Sequence, residues 1–192
     1  AMKKIKIAID SPAAAGAGTV AKQLAKNYNL LYLDTGKIYR LIAYSKLINP
    51  KNFDYKYLSK IIKNINLKKL NNKKLISDKV GNEASKISKD KKIRKIVHNF
   101  QIKCAYNPPK KFNGSCLDGR DITYKIIPDA DIKLFITASL KIRANRRYKE
   151  LRSLKKDVTF NEVLKSIKKR DKSDYNRSIS PLKKTKDSIL IN

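Results

Sequence analysis

The segment SPAAAGAGTVAKQLAK, Ser11 to Lys26, follows the apolar run IKIAID and has the composition of a tight turn opening into a helix. A strand, a glycine-bearing turn and a helix in that order can cradle phosphate. Successive backbone N–H groups point inward at the anion, and the helix N-terminus adds partial positive charge. The motif for such a loop is G-x-x-x-x-G-K-[ST]. Here Ser11 stands at the first glycine and Ala17 at the lysine, while Gly16 and Gly18 remain. Thr19 offers a hydroxyl to a phosphate oxygen or to the shell of a magnesium ion. Taken alone, the loop reads equally well as an ordinary strand-to-helix turn of small residues. Three carboxylates, Asp10, Asp34 and Asp118, each end an apolar run and add polar chemistry beside it.

These groups need a scaffold that gathers strand ends on one edge. Strand-like runs lie at 5–9, 30–34, 114–118, 132–137 and 188–191, with helical periodicity between them. That alternation predicts an α/β fold with a mainly parallel sheet covered by helices, its ligands at the carboxyl ends of the strands. At 192 residues the chain is expected to form one compact unit. Residues 35–113 are too many for a simple crossover and predict an inserted lobe. Within it, LKKLNNKKLISDK reads as a small strand pair joined at Asn71-Asn72. LRSLKKDVTF (151–160) interrupts two basic helices and reads as a short mobile lid. Another helix is expected after the last strand, near Asn192. Its absence predicts either a trimmed chain or a sheet face covered by a partner.

The formal charge of +30, from 46 Lys+Arg against 16 Asp+Glu, admits nucleic-acid binding by counterion release. The lysines are spread through every segment, however, and no stacking motif of the K/R-G-F/Y type accompanies them. A solvated surface that attracts small anions is the expected reading, and a nucleic-acid partner is not expected. No apolar run is long enough to span a bilayer, and Asp10 interrupts the position of a signal peptide, so a cytoplasmic protein is expected. Ala1 ahead of Met2 is set aside as a residue left by tag removal. Cys104 and Cys116 show no zinc or C-x-x-C spacing and read as reduced, buried thiols. His98 reads as a packed or half-exposed histidine rather than a ligand.

The segment YLDTGKIYRL resembles the LD-[ST]-G-x-x-YR signature of bacterial cytidylate kinases, which belong to the nucleoside monophosphate kinases. NEASKIS, KKIRK, LDGRD, IPDADIKLFITAS, RANRR and KKRDKSDYNRSISPL then follow in that family's order, from Ile5 to Ile191. The resemblance implies transfer of the γ-phosphoryl group of ATP to CMP or dCMP, with Mg²⁺. It implies a P-loop fold with a five-stranded parallel sheet and helices on both faces: a core (2–36 and 112–192), an inserted NMP-binding lobe (37–111) and a lid (148–160). It places ATP on Ser11, Pro12, Ala13, Ala14, Ala15, Gly16, Ala17, Gly18 and Thr19. CMP falls to Thr35, Arg40, Ser85, Arg94, Arg120, Asp121, Arg170, Asp174 and Arg177. Arg94 and Asp121 would read cytosine, whose N4 amino donor lies beside the N3 and O2 acceptors; uracil reverses the pattern at positions 3 and 4. Arg40, Arg120 and Arg177 would fork onto the acceptor phosphate, and Arg170 and Asp174 would hold the pentose. Asp118, with Asp34 second, would hold magnesium through water. Arg120 and the lid-flanking Arg143, Arg146 and Arg147 would surround the transferring group. A monomer is expected.

Two departures from the family stand out. Without the loop lysine, a cation is missing from the spreading negative charge, and Lys22 lies about 140° around the helix from the place that needs it. Three readings follow: a natural variant in which a lid or other cation substitutes, an engineered inactivation, or a protein that binds nucleotide without turnover. Two coordinated changes, Ser11 and Ala17, fit natural drift better than a designed substitution. The family also has Ile-Gly-Thr after GRD where this chain has Ile122, Thr123 and Tyr124. Losing that glycine removes easy access to positive φ and predicts an altered backbone path near Asp121.

Overall fold

A computed structural model describes residues 3–192. Five strands, β1 (Ile5–Asp10), β2 (Leu31–Asp34), β3 (Gly114–Gly119), β4 (Ile132–Ile136) and β5 (Ile189–Ile191), pair in parallel in the order β2-β3-β1-β4-β5. Ile7, Ala8 and Ile9 of the central β1 are all buried, the pattern of a strand covered on both faces. Alternation sends Ile7 and Ile9 to one face and Ala8 to the other. Helix α1 (Ala17–Tyr28) covers the first face with Ala17, Ala21 and Ala25, a stripe at four-residue spacing narrow enough to lie close to Ile7, Ile9 and Cys116. Helices α2 (Thr35–Ile48), α3 (Tyr55–Lys63), α4 (Asp78–Ile87) and α5 (Lys91–Tyr106) join the second face. There Ile38, Ile42, Val80 and Val97 share one apolar core with Ala8, Leu33 and Leu117. Helices α6 (Leu140–Ser153) and α7 (Phe160–Asn176) meet through Ala144, Leu151, Val163 and Ile167, with Ala14 of the β1–α1 loop packed against them.

The five strand-like runs and the covered parallel sheet are as the sequence predicts. The strand pair expected at 67–75 is not formed. Two 3₁₀ turns, Leu67–Asn71 and Lys73–Leu75, stand there instead. The Asn66 side chain accepts from the Lys68 N–H and that of Asn72 from the Lys74 N–H, local bonds that compete with a strand ladder. Between α6 and α7, Lys155 turns the chain at φ 57° and a Thr159–Glu162 capping box starts the next helix.

The lost glycine after GRD leaves no positive φ behind. Residues Ile122–Ile126 form a π-helical turn, and Thr123 is not among the positive-φ residues. Both Thr123 donors, N–H and hydroxyl, bond to Asp10 (2.9 and 2.7 Å), as does the Ile122 N–H (2.9 Å). The end of β1 thus pins the segment that follows Asp121. Burial raises Asp10 to about 6, only partly offset by these bonds.

Both cysteines are free, Cys116 buried as expected and Cys104 only half-buried; burial pushes Cys104 up to about 11 and Cys116 up to about 12, which disfavours the thiolate near neutral pH. No helix among the described residues is long and apolar enough to cross a membrane. β5 leaves Ile189 and Leu190 exposed.

Ala14 adopts φ 59°, a left-handed conformation that costs a Cβ-bearing residue roughly 1 kcal/mol. Ala14→Gly is therefore expected to raise the thermal midpoint by about 2–4 °C. A lower midpoint would mean that the methyl's packing against α6 and α7 outweighs the backbone strain.

Candidate active site

Loop 11–18 lies between the carboxyl end of β1 and α1, with the Ser11 N–H bonded to the Gly119 carbonyl (3.2 Å). Gly16, at φ 91°, takes the N-cap position of α1 without a side-chain capping bond, and the first turn carries no acidic residue. The other six α-helices are each capped by a side chain, from Asp34, Asp54, Ser77, Asp90, Ser139 and Thr159. The first N–H donors of α1 therefore stay open to an anion. A cavity of about 270 Å³ opens over this loop, walled by Ser11 to Gly18. Thr19 is exposed and lies outside the lining.

Strand register puts Asp34 beside Asp118 at the edge of this cavity. Asp118 is buried and accepts from the Tyr32 hydroxyl (3.1 Å). Burial, and then the charge of Asp34, hold its carboxyl well above the usual range. A nearby cation would reverse that balance. Among the described residues no three His, Cys, Asp or Glu side chains cluster as a cage. Two carboxylates beside loop 11–18 suit magnesium, which keeps several waters and shares its shell with substrate phosphates.

A second cavity of about 100 Å³ adjoins the first, the two sharing Gly36, Arg40, Gly119, Arg120 and Arg170 as common wall. All nine residues expected to hold CMP line it: Thr35, Arg40, Ser85, Arg94, Arg120, Asp121, Arg170, Asp174 and Arg177. Arg94 donates from Nη2 to Asp121 Oδ2 (3.0 Å) and from Nη1 to the Ser88 carbonyl (2.9 Å). Burial alone would raise Asp121, but the His98 hydrogen bond and the Arg94 charge together hold it down to about 2. Asp174 is gripped by Arg120 Nε (2.8 Å) and approached by Arg177 (3.5 Å). Gln101 donates to the Thr35 hydroxyl (2.8 Å).

Three guanidiniums meet where the cavities join. Burial, and then the charges of Arg170 and Arg147, push Arg40 down to about 9, and burial with Arg120 pushes Arg170 down to about 10. Both stay charged at neutral pH; Asp34, Asp78 and Asp174 offset part of their mutual repulsion, and a bound anion would offset more. Gly81 makes their approach possible: a Cβ there would stand 2.8 Å from both Arg40 Nη2 and Arg170 Nη2.

The helix-α6 arginines divide. Arg147 lines the first cavity, with Nη1 on Glu150 (3.0 Å) and a buried Nη2 that has no partner among the described residues. Arg143 does not line it: its guanidinium is held by Asp171 (2.9 and 2.7 Å), with Nε on the Ala138 carbonyl. Arg146 also lies outside the lining, its Nη1 on the Ala15 carbonyl (2.8 Å) and directly over Gly16. With Arg143 Nη1 also 3.4 Å from the Ala13 carbonyl, both brace the loop rather than face its cavity. Sequence reasoning missed Tyr39, Lys37 and Asp78 in the cavity walls, although Tyr39 adjoins the Arg40 of YR. His98 is packed and partly buried as the sequence suggests, and its Nε2 lies 3.0 Å from Asp121 Oδ2. The Tyr39 hydroxyl is buried without a partner among the described residues, and Arg94 lies 5.3 Å from its ring centre.

A profile of the family described as cytidylate kinase matches residues 7–192. A Fusobacterium nucleatum protein named cytidylate kinase is 39% identical, the alignment covering 98% of this chain and 89% of that one. A namesake from Clostridium botulinum (strain Hall) is 37% identical over 99% and 90%, and one from Mesorhizobium japonicum 40% over 96% and 84%. A crystal structure of an uncharacterized protein from Eubacterium ventriosum superposes with a TM-score of 0.52 at 19% identity, covering 97% of this chain and 86% of that one, and so shares the fold.

Proposed function

The chain belongs to the cytidylate kinase family of ATP-dependent phosphotransferases, and from that premise we propose that it transfers the γ-phosphoryl group of ATP to CMP or dCMP with Arg147 standing in for the loop lysine. A phosphate oxygen of CMP attacks the γ-phosphorus, the bond from that phosphorus to the β–γ bridging oxygen breaks, and ADP leaves. Catalysis of this kind is alignment plus positive charge. The observation that carries the reading is the convergence of residues from α2, α4, α5, the β3 end and α7 on one cavity that opens beside the phosphate loop.

In this reading Asp121 accepts from the cytosine amino group and Arg94 donates to a ring acceptor. Arg40, Arg120 and Arg177 hold the acceptor phosphate, Arg170 and Asp174 the pentose. The N–H donors of the loop hold the phosphates of ATP. Asp118 and Asp34 would hold a magnesium ion through water, which when bound neutralises charge on the donor phosphates.

A proton and the metal compete for Asp118, whose carboxyl burial holds above its usual range. Raising pH strips that proton. The half-saturating Mg²⁺ concentration is therefore expected to fall as pH rises, by at most roughly tenfold per unit for one displaced proton. Mg²⁺ titrations of activity at several pH values check it; a requirement that grows with pH would contradict it.

A coupled ADP-release assay with CMP, dCMP and AMP tests the activity. Release with CMP and dCMP well above the blank is expected, and AMP should be poor. Calorimetric CMP binding with ADP release no faster than blank would instead support the second reading, motivated by Ala17, of a nucleotide-binding protein without turnover. Single-stranded RNA bound tighter than about 10⁻⁶ M at physiological salt, beyond the non-specific range, would revive a nucleic-acid role.

A further inference from the structure

Asp121 carries two donors on the same oxygen. Arg94 Nη2 and His98 Nε2 each lie 3.0 Å from Oδ2, four residues apart on one face of α5. A carboxylate only accepts, so the imidazole Nε2 is the donor. Asp121 lines the second cavity and His98 does not, so the imidazole supports the carboxylate from behind. Arg94 alone is a poor anchor: its Nη1 is committed to the Ser88 carbonyl and its Nε is buried without a partner among the described residues. With His98 in place, both donors converge on Oδ2 and Oδ1 is left for the base.

The charge state of that carboxyl decides which base it reads. Ionised, it matches the N4 amino donor of cytosine. Protonated, it would present an O–H donor, which the carbonyl at the same position of uracil would accept. Arg94 and His98 from α5, Arg177 after α7, Asp10 of β1, Tyr39 of α2 and Tyr124 of the π turn are the charged and titratable groups around it. Of these, the imidazole and the Arg94 guanidinium hydrogen-bond to it.

We infer that His98 is a positioning residue that holds Asp121 as an ionised acceptor with one oxygen turned to the substrate, and that it thereby sets the preference for cytosine over uracil. The inference rests on the (d)CMP reading of the second cavity. No residue contact to the donor nucleotide is involved, so the effect belongs to the acceptor side.

The test uses the full chain as wild type, His98→Leu and His98→Gln, with CMP and UMP binding measured by calorimetry and steady-state kinetics alongside. His98→Leu is expected to weaken CMP binding and raise its KM about tenfold while kcat at saturation and the KM for ATP stay within about twofold, and to narrow the CMP:UMP ratio. His98→Gln keeps an N–H donor and is expected to restore most of the loss. A His98→Leu protein that matches wild type for CMP and UMP overturns the inference, and so does one that loses CMP, UMP and ATP alike without rescue by glutamine. Wild type failing to bind CMP at all would instead overturn the reading of the cavity on which the inference rests.

Discussion

Arg147→Ala is expected to lower kcat for CMP by about 10²- to 10³-fold, the cost of removing one preorganised donor from a developing negative charge. Five cations line the cavity over loop 11–18: Lys37, Arg40, Arg120, Arg147 and Arg170. Four have other work. Arg40 donates to the Leu75 and Ser77 carbonyls, Arg120 to Asp174, Arg170 to the Gly81 carbonyl, and Lys37 reaches toward Asn71. Arg147 alone combines a place in the wall with a buried, unpartnered guanidinium nitrogen. Its ion pair, to the half-exposed Glu150, contributes little to stability, so the variant should fold. Adding Ala17→Lys to Arg147→Ala is expected to recover at least about tenfold, whereas Ala17→Lys alone should change kcat little. Steady-state ADP release at saturating CMP and ATP measures all four proteins. Full activity in Arg147→Ala would end the assignment of the substitute cation, and a large gain from Ala17→Lys alone would mark a damaged kinase instead.

Asp121→Asn should lower kcat/KM for CMP by roughly 10³-fold or more, because the amide either turns a donor toward the cytosine amino group or leaves Arg94 and His98 without their acceptor. Asp121 is 1% exposed and Arg94 3%, so solvent cannot replace the lost bonds. UMP, whose carbonyl suits an amide N–H, should lose much less, and the CMP:UMP ratio should collapse. Asp121→Ala is expected to be worse for the fold, since an unpaired buried guanidinium costs about 3–5 kcal/mol. Competing-substrate kinetics and thermal melts separate the two effects; equal losses for CMP and UMP in Asp121→Asn would place the base elsewhere.

Much of the architecture was legible because it depends on local pattern. Apolar runs ending in Asp10, Asp34 and Asp118 marked strands that share a carboxyl edge, and the register of Asp34 against Asp118 follows from it. The acceptor residues were legible only through resemblance, since nothing in the spacing of Arg40, Arg94 and Arg177 says that α2, α5 and the end of α7 meet. What sequence could not show is how each charge is spent. Arg143 and Arg147 look equivalent in RANRR, yet Asp171 of α7 takes the first and leaves the second facing the loop. The Asn66 and Asn72 turns defeated the strand expectation because side-chain bonds to nearby backbone carry no periodic signal. His98 reads as a packed histidine in the sequence for a different reason: its partner lies on a segment distant in sequence. The strained Ala14 looked like one more small loop residue until its φ was known.

The most direct measurement is an internal competition, in which wild-type protein receives equimolar CMP and UMP with limiting ATP and Mg²⁺ and the two nucleoside diphosphates are quantified together. The product ratio equals the ratio of kcat/KM values, free of enzyme concentration and of the absolute rate. CDP in excess by at least about 100-fold is the expected result for a pocket in which an ionised Asp121 meets the base; equal amounts, or more UDP than CDP, would contradict it.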